Sequence, residues 1–261
     1  MKLPLPTLHR HFRFEITVTE GDKTFTLPLG TGTHNFAVYW GDGSSDKITS
    51  ATDPDRIHTY TTAGTYIISM RGTCTNFAFN NTGDKLKLKK LLGFIDMGFT
   101  TLNFRGCSNL TKVHPSMKVL RSLTTAGSIF RDCSSLISIP AGIFDGAINI
   151  TSFSSCFTDC TSLTSIPSGL FDNNTAVTIF FGCFGGCSNI DQALDGNMFL
   201  YNDKVADFQQ TFQYCSKLTG LGWQTIIANA EAQETPPTYT DGCFEGATSL
   251  TDYAEIPEAW K

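Results

Sequence analysis

The residues of this 261-residue chain whose type and spacing could do chemistry are its nine cysteines. Two stretches, CFTDC from Cys156 to Cys160 and CFGGC from Cys183 to Cys187, place thiols four apart, and 27 residues separate them. A thiolate is a zinc ligand and a nucleophile, and two thiols can close a disulfide, so each pair invites a metal or redox reading. Their surroundings favour another. Cys107, Cys133, Cys160, Cys187 and Cys215 each stand three residues after a phenylalanine, in FRGCSNL, FRDCSSL, FTDCTSL, FGGCSNI and FQYCSKL, while a sixth copy, FEGATSL, carries Ala247 there. Alanine neither ligates nor cross-links, but it fills the same small dry space as a buried thiol. Cys156, Cys183 and Cys243 precede their phenylalanine, where other copies have Asn103, Ile129 and Thr211. Cys74 lies outside the repeats, and the five histidines lie far from the ladder. Packing is therefore the leading reading of the thiols, with metal and disulfide as lesser ones.

Carboxylates are the other candidates. Asp42, Asp46, Asp53 and Asp55 could offer oxygens to calcium, Asp42 and Asp46 foremost, but EF-hand spacing is absent and turn or solvated roles are expected. His58 reads as a hydrogen-bonded structural histidine. The chain has no GxxxxGK[ST], HExxH, GxSxG or dinucleotide fingerprint. A carboxylate pair acting on glycosides leaves no local signature, yet no acidic residue conspicuously breaks the repeat. The expectation is a protein without catalytic activity, cofactor or metal.

What must position these residues is a repeat. The phenylalanines at 104, 130, 157, 184, 212 and 244 are spaced by 26, 27, 27, 28 and 32. A second column runs through IPAGIFD, IPSGLFD and a degenerate ALDGNMF. One such unit cannot bury its own apolar residues, so a stack is implied, a solenoid with short β segments. Its expected ladder is Phe104, Cys107, Leu110, then Phe130, Cys133, Leu136, then Phe157, Cys160, Leu163, then Phe184, Cys187, Ile190, then Phe212, Cys215, Leu218, with Leu250 in the last, capping copy. WQTIIANAEAQ interrupts the pattern with helical spacing and is stopped by Pro236-Pro237, a short helical insertion near the C-terminus.

Residues 12–79 differ in texture. FRFEITV alternates Phe12, Phe14, Ile16 and Val18 against Arg13, Glu15 and Thr17, the pattern of a half-buried strand, and further short strands follow at sandwich spacing. KLKLKK, inside a junction over 80–98, alternates Lys85, Lys87 and Lys89 with leucines and reads as an edge strand guarded by outward lysines rather than as a basic patch. The expected organisation is an N-terminal segment 1–11, a β-sandwich 12–79, the junction, and the repeats 99–261. The fold class expected from these patterns is mainly β: a β-sandwich followed by a repeat solenoid with a short helical insertion near the C-terminus.

Two resemblances follow from these motifs. YWGDGS with HTYTTAGTYIISM resembles the PKD-type Ig-like module through Trp40, Gly41, Asp42, Gly43, His58, Tyr60, Gly64 and Tyr66. The frame F-x-x-C-x-x-L-x-x-I-P-x-G-L-F resembles the BspA-type leucine-rich repeat over about residues 99–261, weakening after 219. Together they resemble bacterial surface adhesins and phage appendage proteins.

Net charge is −5, which argues against nucleic acid, and no apolar run suits direct membrane insertion or a signal-peptide core. The leading expectation is a non-catalytic adhesion or structural protein on a bacteriophage virion, a tail or capsid appendage made in the host cytoplasm. Its partners would be other virion proteins and a host-surface protein or glycan, with homo-oligomer formation left open. A bacterial cell-surface adhesin with its leader removed is one alternative, a glycan-active enzyme another. Exposed aromatics, with Tyr201, Trp223 and Tyr239 foremost, are candidate binding anchors. Cys160→Ser is expected to cost about 1–3 kcal/mol and Cys160→Ala less.

Overall fold

The computed structural model describes residues 11–93, 95–115, 120–223 and 237–261, and the chain is mainly β. The helix expected over 223–233 lies outside the described residues except for Trp223. The N-terminal part is built from antiparallel pairs. Strand β1 (Phe12–Val18) buries Phe12, Phe14, Ile16 and Val18 and turns Arg13, Glu15 and Thr17 outward, as the alternation predicts. With β3 (His34–Tyr39), β4 (Ser45–Ile48), β6 (Gly64–Cys74) and β8 (Leu88–Gly93) it forms a five-stranded sheet in the order β4-β3-β6-β1-β8. Strands β2 (Thr24–Thr26) and β5 (Ile57–Thr59) pair separately, and Phe25 of β2 sets its ring 6.0 Å from Phe14.

The lysine-rich stretch departs from expectation. Lys85–Lys87 forms a 3-10 turn, and the strand begins only at Leu88. Lys87 points inward: its Nζ is 2.6 Å from Asp84 Oδ1 and 2.7 Å from Asp22 Oδ2, whereas Leu86 is 51% exposed. The far side of β8 is also occupied, because Thr111 N–H donates to the Lys89 carbonyl and Leu91 N–H to that of Lys112. A strand whose second edge is already paired needs no guarding lysines. Strand pairing also crosses residue 79: β7 (Asn76–Ala78) pairs in parallel with β9 (Thr101–Asn103), and Phe79 N–H donates to the Asn103 carbonyl.

From residue 104 onward the described residues carry no regular strand, only isolated parallel bridges such as Ser152–Ile179 and Ile179–Asp207. The short β segments expected there are replaced by a different ladder. N–H groups of Phe153, Ser155, Phe157 and Asp159 donate to Ile179, Phe181, Cys183 and Gly185 one turn later, at 2.7–2.9 Å. The alternate N–H groups of Cys156, Thr158 and Cys160 close tight turns onto Phe153, Ser155 and Phe157, and Ser154 N–H reaches the Ser152 hydroxyl. Carbonyls of Ser154, Cys156 and Thr158 accept from Ser128, Phe130 and Asp132 of the preceding turn. Every N–H and C=O from Phe153 through Thr158 is thus spent, which is what lets this backbone lie against a core.

The rings stack in register. Phe104, Phe130, Phe157, Phe184, Phe212 and Phe244 follow one another at 5.5–5.7 Å with interplanar angles of 3–15°. Phe153, Phe180 and Phe208 make a second column at 5.7–5.8 Å. Leu110, Leu136, Leu163, Ile190, Leu218 and Leu250 are all buried beside them. At the C-terminal end Phe244 N–H donates to the Trp260 carbonyl, and Trp260 sets its ring 4.8 Å from Trp223.

Because Phe157 has a ring on each side, Phe157→Ala leaves a hole that neither neighbouring turn can fill. It should cost about 3–5 kcal/mol, read as a lowered midpoint in urea denaturation, with solvent-exposed Ile148→Ala changing little.

Candidate functional site

All nine cysteines are free and buried. Burial pushes their thiols up: Cys74 and Cys215 to about 12, and Cys133, Cys156, Cys160, Cys183 and Cys187 well above the ordinary thiol range. The sulfurs are more than filler. Cys133 Sγ–H donates to the Phe104 carbonyl at 3.3 Å, and Cys160, Cys187 and Cys215 donate to Phe130, Phe157 and Phe184 at 3.1 Å. Each thiol therefore ties its turn to the phenylalanine of the turn before. In the neighbouring column the Thr211 hydroxyl lies 2.7 Å from Phe208 O and 3.0 Å from Phe180 O, so its one proton is donated to either carbonyl. A hydroxyl can thus take a thiol's role here, which narrows the gap expected between Cys160→Ser and Cys160→Ala.

Asp42 and Asp46 are spent on separate protein donors. Asp42 accepts from Ser44 N at 2.9 Å, Ser44 Oγ at 2.6 Å and His58 Nε2 at 2.8 Å. Asp46 accepts from the Trp40 indole at 2.7 Å. The turn that carries Asp42 needs Gly41 and Gly43, on either side of it, at φ +90° and +98°. His58 lies flat on Trp40, ring centroids 4.7 Å apart, and meets Tyr60 edge-on at 4.5 Å, so it is held rather than presented. Desolvation works to raise the Asp42 pKa, but the Ser44 and His58 hydrogen bonds outweigh it and the net shift is downward. Elsewhere Asp172 is shifted up, first by desolvation and then by repulsion from Asp195 and Asp145. Among the described residues no group of three or more His, Cys, Asp or Glu is placed to hold a metal ion.

The proposed aromatic anchors separate. Tyr201 and Tyr239 are exposed, 53% and 55%, and among the described residues neither makes a ring contact with the other. Trp223 is half-buried against Trp260, with its backbone N–H on Asp252 Oδ2 at 2.9 Å, so it anchors the C-terminal segment. Tyr214, which the sequence reading passed over, is exposed and donates its hydroxyl to Glu245 Oε1 at 2.7 Å.

The face beside the leucine column is where polar groups converge. The residues just before and after each Leu or Ile point outward, once per turn. Ser162 and Thr164, Asn189 and Asp191, and Lys217 line an open depression of about 580 Å³. Backbone bonds hold these rows in step: Thr164 N–H donates to Ile137 O, and Asp191 N–H to Thr164 O. Lys217 Nζ donates to Asn189 Oδ1 at 2.8 Å, while the Asn189 amide donates to Thr161 O at 2.7 Å. Hydroxyl, amide, carboxylate and ammonium groups fixed on a ladder can hydrogen-bond a polar ligand in one orientation. The sequence signal for this row was the alternating frame SSLIS, TSLTS, SNIDQ and SKLTG.

No known family model matches this chain, and no curated protein sequence matches it.

Two outcomes follow from these environments. A thiol reagent at pH 8 should label almost none of the nine cysteines in the native protein and all of them in denaturant, while a chelator leaves the melting temperature unchanged; Cys160→Ser and Cys160→Ala should each cost about 1–2 kcal/mol. Asp42, with its folded pKa below the unfolded value, contributes stability that is complete above the unfolded pKa and is lost as pH falls through the folded one. The melting temperature of the wild type should therefore fall more steeply below about pH 4 than that of Asp42→Asn.

Proposed function

We propose that the protein is a non-catalytic binding and structural protein, in which an Ig-like β-sandwich is followed by a leucine-rich-repeat-type solenoid whose outside is the working surface. The observation that carries this reading is a division of labour. The chain's thiols are buried and protonated, and the groups left outside are a once-per-turn row of hydroxyl, amide and charged side chains around an open polar depression. Chemistry needs an activated group in reach of a substrate, and adhesion needs a rigid array of hydrogen-bonding groups; the second description fits these residues.

The setting we propose is a bacteriophage virion, on a tail or capsid appendage that contributes to host attachment. What supports it is the pairing of PKD-like and BspA-like motifs together with thiols kept free in the core, which suits assembly in a reducing cytoplasm. Purified particles of the encoding phage should contain the chain by mass spectrometry, and the isolated protein should bind host cells and slow infection when added in excess. Particles without it would end the virion assignment, and a protein that degrades host polysaccharide would replace adhesion with catalysis.

A further inference from the structure

We propose that the row beside the leucine column is a binding track for a linear glycan, lying along the stacking direction with one sugar ring per turn and centred on Ser162, Thr164, Asn189, Asp191 and Lys217. This rests on the binding role proposed above and narrows it to a ligand class and a place.

Three observations point there. The depression is open rather than closed and draws its lining from three successive turns, which suits a polymer better than a compact ligand. Its charges offset one another, one carboxylate against one ammonium, and the rest is hydroxyl and amide. Such a set recognises paired hydroxyls of a neutral sugar, because a carboxylate or amide oxygen accepts from one hydroxyl while an amide or ammonium N–H donates to its neighbour. The third observation is the step. Successive turns stack their rings at 5.5–5.7 Å, and hydrogen-bonded neighbours run about 5 Å apart. An extended glycan advances by nearly the same distance per pyranose. An extended peptide repeats its side-chain direction only every two residues, about 6.6 Å, and falls out of phase within a few turns.

The groups are also held ready. Asn189 is fixed at both ends of its side chain, the amide on Thr161 O and the carbonyl under Lys217 Nζ, so a ligand meets an ordered array and loses little to freezing it. No aromatic ring lines the depression, so binding by one sugar is weak and strength comes from repetition along the track.

The test is an array of chemically defined linear oligosaccharides of two to six units, probed with the whole protein. At least one series should be bound, with affinity rising tenfold or more from two units to four. The Asn189→Ala/Asp191→Ala double variant should lower that affinity at least tenfold, and Lys47→Ala, on the remote strand β4, should not. Thr164→Val, which keeps volume and removes one hydroxyl, guards against loss of fold and should lower affinity severalfold at an unchanged melting temperature. No bound series, binding independent of length, or binding untouched by these variants overturns the track. If the array is silent but host cells are still bound, and protease treatment of the cells abolishes that, the ligand is a protein and the broader binding role stands. If the cells are not bound either, both readings fall.

Discussion

The structure beyond residue 103 depends on one backbone constraint: alternate N–H groups must leave the turn for the next one while those between them fold back on their own. From Phe130 onward that alternation takes the chain through the left-handed region twice around each phenylalanine of the column, and around Phe104 once. Two residues after it, Asn81, Gly106, Asp132, Asp159, Gly186, Tyr214 and Gly246 all have φ between 57° and 77°. Two residues before it, Ser128, Ser155, Gly182, Gln210 and Gly242 have φ between 54° and 62°. For a residue with a Cβ this conformation costs about 1–2 kcal/mol, and Gln210 and Tyr214 lack the short polar side chain that eases it. They hold it because the hydrogen bonds on both sides and the stacked rings leave no other way through. The ladder imposes the strain, and ring burial offsets it.

This constraint explains why some features were legible in the sequence and others were not. The phenylalanine, cysteine and leucine columns were visible because each demands one kind of residue at a fixed period. The left-handed rows were invisible because Asp, Ser, Gln, Tyr and Gly share nothing there except a dihedral angle. A further turn was hidden as well. Phe79 donates to Asn103 as Phe104 donates to Ile129, so the backbone ladder begins one turn before the first recognisable copy, although the ring set against Phe104 there is that of Phe77. Thr82 occupies its thiol position, N–H on Phe79 O, and Leu88 stands where Leu110 stands, but with three extra residues between. The insertion broke the spacing on which the repeat had been recognised.

The same early turn explains how two dissimilar halves share one chain. Strand β8 pairs with β1 on one side and with residues 111–112 on the other, while β7 hands its hydrogen bonds to β9. A column of this kind always has a first turn whose N-terminal face would otherwise lie bare, and such a face is an aggregation template. Here the antiparallel sheet is in hydrogen-bonded contact with that turn. At the other end, residues 253–260 turn back in two short 3-10 helices and Trp260 supplies the carbonyl that Phe244 needs.

The candidate site was half-legible for a related reason. Sequence reasoning weighed thiols, carboxylates and exposed aromatics because those types carry chemistry singly. The polar row carries none singly: Ser162, Thr164 or Asn189 alone is an ordinary surface residue. Its meaning comes from being repeated at a fixed step, and that step is set by backbone bonds such as Asp191 to Thr164 and Thr164 to Ile137. The inward columns and the outward row are therefore two consequences of one period. Any change that shifts a turn's register, such as an insertion between Phe157 and Cys160, disorders both at once, whereas exchange of an outward side chain alters the surface and leaves the stack intact. An outer surface can then vary from turn to turn, Asn189 and Lys217 beside Ser162, on a phenylalanine column that does not vary.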